Sequence, residues 1–292
     1  HLPQTHAAVQ LVRELLDRHH EDVVLVTETN VPHEENVSYF GRADERESQA
    51  VYQFSLPPLV LHTMHTGDAT ALADWVASIH WPSTGNRTFL NFLASHDGIG
   101  LRPAEGLLDD QAVAALARRV EELGGVVNER STPEGPRPYE LSTTWFDAVA
   151  LGDESRGVAH HLASHAILFL LPGIALVYAH SLVGSSNDHD AYRATGQGRS
   201  LNRRRFRDPD EYRSLEPGSR AAVVNAGLRE LIELRRSRPA FDPDAPIEVA
   251  EARDGLFRFY RGAGRDRVLV EVNVSLAAVD GIPVGRWRVS EL

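Results

Sequence analysis

The sequence predicts an α/β fold over residues 1–243 and a small all-β domain over residues 244–292. Three observations carry that expectation. Short apolar runs at residues 23–27, 51–56, 89–95 and 174–178 read as strands buried on both faces, the pattern of a parallel sheet. Helical stretches separate them. After Pro246 the pattern changes to short segments with turns, at residues 247–252, 256–261 and 267–273 and in the tail from Trp287.

The elements follow in order. Residues 7–19 place Val9, Leu11, Val12, Leu15 and Leu16 on one helical face. The strand at 23–27 ends in Glu28, and a polar loop spans 32–48. The strand at 51–56 is closed by Pro57-Pro58. Residues 59–65 and 69–79 read as helices, with Asp68 as an N-cap. A helix at 111–123 stops at Gly124-Gly125. Residues 125–137 read as a turn-rich, mobile loop, and 139–146 as extended chain. Helices are predicted at 158–170 and 220–236, with a loop at 184–212 between them. Four core strands are half of the roughly eight that close a parallel barrel, so the expected architecture is the C-terminal half of a (β/α)8 barrel, strands five to eight.

Composition narrows the function. A net charge of −11 argues against nucleic acid as a partner. No apolar run approaches the roughly 20 residues of a membrane span, and no leader is recognisable. The absence of Cys removes disulfides and thiolate metal sites, and a cytoplasmic location is the default. All thirty basic residues are Arg, which fits codon bias. The chain begins at His1 and its one Met is Met64, which we read as a piece of a longer protein.

Acids at strand ends are the candidate chemistry. Glu28 follows the first strand, with Asn30 and His33 nearby to hydrogen-bond a carboxyl; apolar surroundings would raise its pKa for general-acid work. Asp97 follows the third strand in His96-Asp97-Gly98, where it can face a developing oxocarbenium ion. Among fourteen His, the pair His161/His165 shares a helical face, but no acid completes a metal signature, and we expect core or surface histidines rather than metal ligands. Asn187-Asp188-His189-Asp190 lacks the spacing of a calcium loop. The run Arg203-Arg204-Arg205, with Arg207, Phe206 and Tyr212 nearby, reads as a solvated surface, and Arg199 as a loop cation between Gly198 and Ser200.

Six collinear motifs then point to one family. Thr27-Glu28-Thr29-Asn30-Val31-Pro32-His33 with Asn36-Val37-Ser38-Tyr39-Phe40-Gly41 resembles the sucrose phosphorylase-like branch of glycoside hydrolase family thirteen, the α-amylase superfamily. So do Tyr52-Gln53-Phe54-Ser55-Leu56-Pro57-Pro58-Leu59 and Ala94-Ser95-His96-Asp97-Gly98-Ile99-Gly100. Pro138-Tyr139-Glu140-Leu141, Gly184-Ser185-Ser186-Asn187-Asp188 and Gly198-Arg199-Ser200-Leu201-Asn202-Arg203 continue the match. The version around Glu28 looks most like the glucosylglycerate phosphorylase subgroup.

The resemblance implies Glu28 as general acid/base and Asp97 as the carboxylate that stabilises the transition state. It implies His96 and Arg199 in the donor subsite, and Tyr139 and Glu140 in the mobile loop near acceptor and phosphate. Ser142 stands where Asn is expected. The family nucleophile, an Asp in an Arg-x-Asp-Ala strand, would precede His1. The implied reaction is retaining transfer of a glucosyl unit from sucrose or glucosylglycerate to phosphate, giving α-glucose 1-phosphate without cofactor. Hydrolysis or transglucosylation is the alternative, and the chain alone is expected to be inactive. Arg130 or Arg137 would meet an acceptor carboxylate.

Overall fold

The computed structural model describes residues 2–42, 46–82, 87–133, 135–206, 215–251 and 253–292. Arg207, Tyr212 and Ala252, which enter the sequence expectations, lie outside the described residues.

Helix α1 (Pro3–His19) leads into strand β1 (Val26–Thr27). A short helix α2 (His33–Val37) follows, inside the stretch expected to be loop. Strand β2 (Ala50–Tyr52) is followed by helices α3 (Leu56–Thr66) and α4 (Thr70–Ser78), and by strand β3 (Thr88–Asn91). An excursion then holds strand β4 (Ile99–Gly100), helix α5 (Asp110–Glu122), and the hairpin of β5 (Val126–Thr132) and β6 (Gly135–Ser142). Helices α6 (Trp145–Ala150) and α7 (Glu154–Leu170) return the chain to strand β7 (Ile174–Ala175). Helices α8 (His189–Thr195) and α9 (Arg220–Ser237) precede strands β8 (Ile247–Val249), β9 (Leu256–Arg261), β10 (Val268–Asn273) and β11 (Trp287–Glu291).

Strands β1, β2, β3 and β7 form one parallel sheet in that order, with Val26 opposite Ala50, Val51 opposite Phe89 and Leu90 opposite Ile174. Helices connect its strands, as parallel pairing requires. The last four strands form a separate antiparallel sheet in the order β11-β10-β9-β8. A single apolar core joins Val51, Phe89, Met64, Trp75 and Ile167 to Phe257, Phe259 and Val270 of the antiparallel sheet. Arg261 of β9 is fully buried and donates to the carbonyls of Leu170 and Asp242; burial, next to Arg235, lowers its pKa to about 9.

Three expectations need correction. The strand at 23–27 is not buried on both faces: Val23, Val24 and Val26 are 43, 61 and 41% exposed. The reason is that β1 is an edge strand, paired only to β2 among the described residues. The other edge, β7, likewise exposes Ile174. Second, the stretch read as a turn-rich loop holds two paired strands, Val126–Thr132 and Gly135–Ser142, with Asn128 opposite Glu140 and Thr132 opposite Gly135. Strand β4 reaches only Glu140 and Leu141, so Pro136 and Pro138 sit where β6 pairs on one side alone, which is the place where a strand tolerates proline. Third, the loop at 184–212 contains α8, whose N-cap Asp188 accepts from the Ala191 N–H at 2.9 Å. Elsewhere, the N-cap of α4 is Ala69 rather than Asp68; Asp68 stands one residue earlier and accepts from the Thr70 N–H at 2.8 Å.

Candidate active site

Two glycines draw the loops at the C-terminal strand ends together. A Cβ at Gly98 would lie 2.5 Å from the Leu141 carbonyl oxygen, and its φ of +102° also favours glycine. The turn carrying Asp97 therefore lies flush against β6. A Cβ at Gly100 would stand 2.6 Å from the Asn30 side chain, so the chain leaving β1 also closes on this strand. The Asn30 amide donates to the Tyr139 hydroxyl at 3.4 Å.

Arg199 is the centre of the cluster. Its Nε and Nη2 donate to Oε1 and Oε2 of Glu140 at 3.0 and 2.8 Å, the bidentate fork favoured between guanidinium and carboxylate. Its Nη1 lies 2.9 Å from Asp97 Oδ1. The hydrogen bond to Glu140, with the charges of Glu140 and Asp97, raises the Arg199 pKa against partial burial. Glu140 itself is buried on β6 and also accepts from Asn128 at 3.2 Å. The short Ser142 fits here, because Gly198 closes on its side chain while Asn128 donates to its Oγ at 3.0 Å.

Asp97 is half-exposed and doubly held. Arg203 Nη2 donates to the same Oδ1 at 2.9 Å, and its Nε to the His96 carbonyl at 2.7 Å. The buried Asn202 donates to the Ser95 and His96 carbonyls at 3.0 and 3.1 Å. His96 is exposed, with Nε2 3.4 Å from Asp97 Oδ1. The contacts to the Asp97 carboxylate from Arg199, Arg203 and His96 all fall on Oδ1, and Oδ2 accepts no hydrogen bond from the described residues. Oδ2 is therefore the oxygen left for a ligand.

Glu28 stands apart. It is exposed and forms no hydrogen bond or ion pair with the described residues. Its charge is felt on β2: the Tyr52 hydroxyl is raised by burial first and by Glu28 second. The expected apolar enclosure of Glu28 is not supplied by these residues. Nor do Asn30 and His33 hydrogen-bond its carboxyl as expected: Asn30 donates to Tyr139, and the His33 ring packs 6.1 Å from Trp75 and Phe89, where burial lowers its pKa.

Other expectations sort by burial. His161 and His165 stack at 4.2 Å inside α7, where burial depresses both, His165 to about 4; of the core and surface placements the sequence left open, both take the core. Asn187 accepts from the Thr144 N–H at 2.7 Å, so its oxygen is spent on the chain itself. Arg203, Arg204 and Arg205 are exposed, as the reading of a solvated surface has it, and Arg203 in addition grips Asp97. Arg130 and Arg137 are directly opposed in the hairpin, and each meets an exposed acid, Glu105 at 2.5 Å and Asp110 at 3.6 Å. Asn128 and Asn202 were not given a role from sequence, and neither was Arg203 beyond its place in the arginine run. For the last two, the adjacency Asn202-Arg203 in the final motif was the available signal.

Three comparisons with known proteins bear on this arrangement. The chain is 47% identical over 280 residues to the glucosylglycerate phosphorylase of Allomeiothermus silvanus, covering 94% of this chain and 50% of that protein. It is 40% identical over 267 residues to the Escherichia coli glucosylglycerate phosphorylase, covering 89% and 47%. The chain belongs to the sucrose phosphorylase-like branch of glycoside hydrolase family thirteen. A sucrose phosphorylase from Agrobacterium vitis is more distant, at 33% over 68% of this chain and 39% of that one. The fold of this family member agrees with a crystal structure of sucrose 6F-phosphate phosphorylase from Thermoanaerobacter thermosaccharolyticum, with a TM-score of 0.72 at 22% identity over 90% of this chain and 51% of the other. No protein-family model matches. The chain spans about half the length of the curated relatives it matches.

Proposed function

We propose that this chain forms the C-terminal half of a retaining α-glucoside phosphorylase, with glucosylglycerate as the favoured donor and sucrose as the second. The observation that carries the reading is the convergence of Asp97, His96, Arg199, Glu140 and Tyr139 beside the strand ends, in a chain whose sequence relatives include glucosylglycerate phosphorylases. In this reading β1, β2, β3 and β7 are barrel strands five to eight, the boundary to the β-domain lies near residue 243, and the protein is cytoplasmic. The open edges support it. Leu11 and Leu15 of α1 are 56 and 48% exposed, and with Val23, Val24, Val26 and Ile174 they leave apolar surface at both sheet edges.

Glu28 serves as general acid, protonating the leaving oxygen while an Asp on a preceding strand attacks the anomeric carbon. That nucleophile would stand about 5–5.5 Å from the Glu28 carboxyl. Glu28 then acts as base while phosphate attacks the glucosyl-enzyme, releasing α-glucose 1-phosphate. Asp97 stabilises the oxocarbenium-like transition state through Oδ2. His96 and Arg199 hold glucosyl hydroxyls. Tyr139 and Glu140 border the acceptor and phosphate, Glu140 acting through the Arg199 it binds. No cofactor takes part in these steps.

The test is an assay of α-glucose 1-phosphate from glucosylglycerate and from sucrose, using a polypeptide extended at its N-terminus to the length of the relatives. Strictly phosphate-dependent release, faster from glucosylglycerate, is expected. Glucose formed without phosphate would make the protein a hydrolase, the runner-up reading. The 292-residue chain alone is expected to give neither product.

A further inference from the structure

At the end of the parallel sheet opposite Asp97, the residues entering β1, β2 and β3 meet a cluster of arginines. Arg13 of α1, 2% exposed, donates through Nη1 to the Val23 carbonyl at 3.0 Å and to Gln49 Oε1 at 2.8 Å. Gln49 immediately precedes β2; its Oε1 also accepts from the Leu25 N–H, and its backbone carbonyl accepts from Thr88 at the start of β3, both at 2.8 Å. Arg87 immediately precedes β3. Arg13, Arg87, Arg46 and Gln49, with Glu47 and Ser48, line a cavity of about 230 Å³.

The charges in this cavity do not cancel. Asp17 is shared, at 2.7 Å from Arg13 and 2.7 Å from Arg46. Among the described residues, Arg87 donates only to the carbonyls of Gly41 and Arg42, at 3.3 and 3.1 Å. Glu47 is already engaged by His6 at 2.9 Å and Gln10 at 3.0 Å. Among the described residues, three guanidiniums therefore face two carboxylates, in a chain whose net charge is −11. The second observation is independent of this count: the Nε of Arg13 is buried and has no hydrogen-bond partner among the described residues. A buried charged donor left unpaired is costly, and a site that supplies its acceptor recovers that cost.

We propose that this cavity binds a small oxoanion, with inorganic phosphate the probe of choice, between Arg13, Arg87 and Gln49. The Arg13 Nε supplies a donor that nothing in the described chain uses, and Arg87 supplies the uncompensated charge. Fork-shaped donors suit an oxoanion over chloride. The site lies at the far end of the strands from Asp97, so it is distinct from any phosphate bound there, and it does not depend on the function proposed above.

The experiment titrates inorganic phosphate into the 292-residue chain labelled with 15N, following the Arg13 Nε–H and the Leu25 and Thr88 amides. A saturable shift of these signals is expected, absent with chloride at equal ionic strength. Arg87→Gln should weaken the apparent affinity about tenfold, roughly the worth of one charge-assisted hydrogen bond. Arg46→Gln, at an exposed side chain, should weaken it less; it keeps the test decisive if the first variant does not fold. Arg199→Met should leave these shifts intact, which separates them from phosphate bound beside Asp97. No saturable shift, the same shift with chloride, or undiminished affinity in a folded Arg87→Gln chain would overturn the proposal. Acetate as a second probe tells whether a planar carboxylate is accepted as well as a tetrahedral ion.

Discussion

Glu28 and Asp97 both stand just past the end of a parallel strand, yet their surroundings differ in kind. Asp97 is gripped by Arg199 and Arg203 at 2.9 Å each, and its turn is pinned by Asn202. Glu28 is exposed and unpaired among the described residues. A strand end delivers an acid to the right face of the sheet, but its environment comes from neighbouring loops. For Asp97 those loops belong to this chain. For Glu28 the neighbouring side is the β1 edge, where exposed Val23, Val24 and Val26 mark a surface shaped for cover. In our reading, the segment that covers it also carries the nucleophile.

The largest expected effect is on catalysis. In the extended polypeptide, Glu28→Gln and Asp97→Asn should each lower kcat/KM for phosphorolysis by about 10³-fold, as expected for an acid/base group and for a transition-state-stabilising carboxylate. Steady-state kinetics check this. Equal activity in either variant would remove that acid from the mechanism.

Next comes the buried histidine stack. His165 titrates near pH 4 in the folded chain, because burial disfavours its charged form, against about 6.5 when unfolded. The unfolded chain therefore binds more protons between those values. The contribution is complete above pH 6.5, is lost as pH falls towards about 4, and amounts to about 3 kcal/mol. Urea unfolding at pH 7 and pH 4.5 should show at least that loss, and His165→Gln should remove its share while leaving the share of His161 and His65, which burial also depresses.

A third effect separates the two acids in stability. Arg199→Met leaves buried Glu140 without its fork and should cost about 2 kcal/mol, discounted because Arg199 is itself 44% exposed. Glu28→Gln, which removes no contact within the described chain, should stay within about 0.5 kcal/mol. Denaturant midpoints of the two variants decide it; equal losses would erase the contrast between the two sites.

The smallest effect concerns the hairpin. Replacing Arg130 and Arg137 together by Gln breaks two exposed ion pairs worth under about 1 kcal/mol. The preference for glucosylglycerate over sucrose should not change. A lost preference would show that these arginines turn from Glu105 and Asp110 to the acceptor.

What the sequence allowed one to read follows burial. The strands that became β2, β3 and β7 and the helices α3, α7 and α9 were legible because each buries an apolar stripe, although each of those strands is shorter than its apolar run. Hairpin β5–β6 was not, since residues such as Asn128, Glu129, Arg130 and Arg137 lack an apolar alternation and two prolines interrupt them. Helix α8 hid among glycines and charges, buries no residue, and was betrayed only by Asp188 before it and Gly196 after it. At the site, the residue types were visible, but the partnership was not. Arg203 sat in an arginine run that reads as surface, and only the fold shows that its guanidinium reaches back 106 residues to Asp97.

The most direct test of the central claim, that this chain holds the acid and the stabilising carboxylate while the nucleophile precedes it, is to sequence the genomic DNA upstream of the His1 codon. The account expects an in-frame extension of about the present length, ending in an Arg-x-Asp-Ala strand shortly before His1. A stop codon or unrelated sequence there would contradict it.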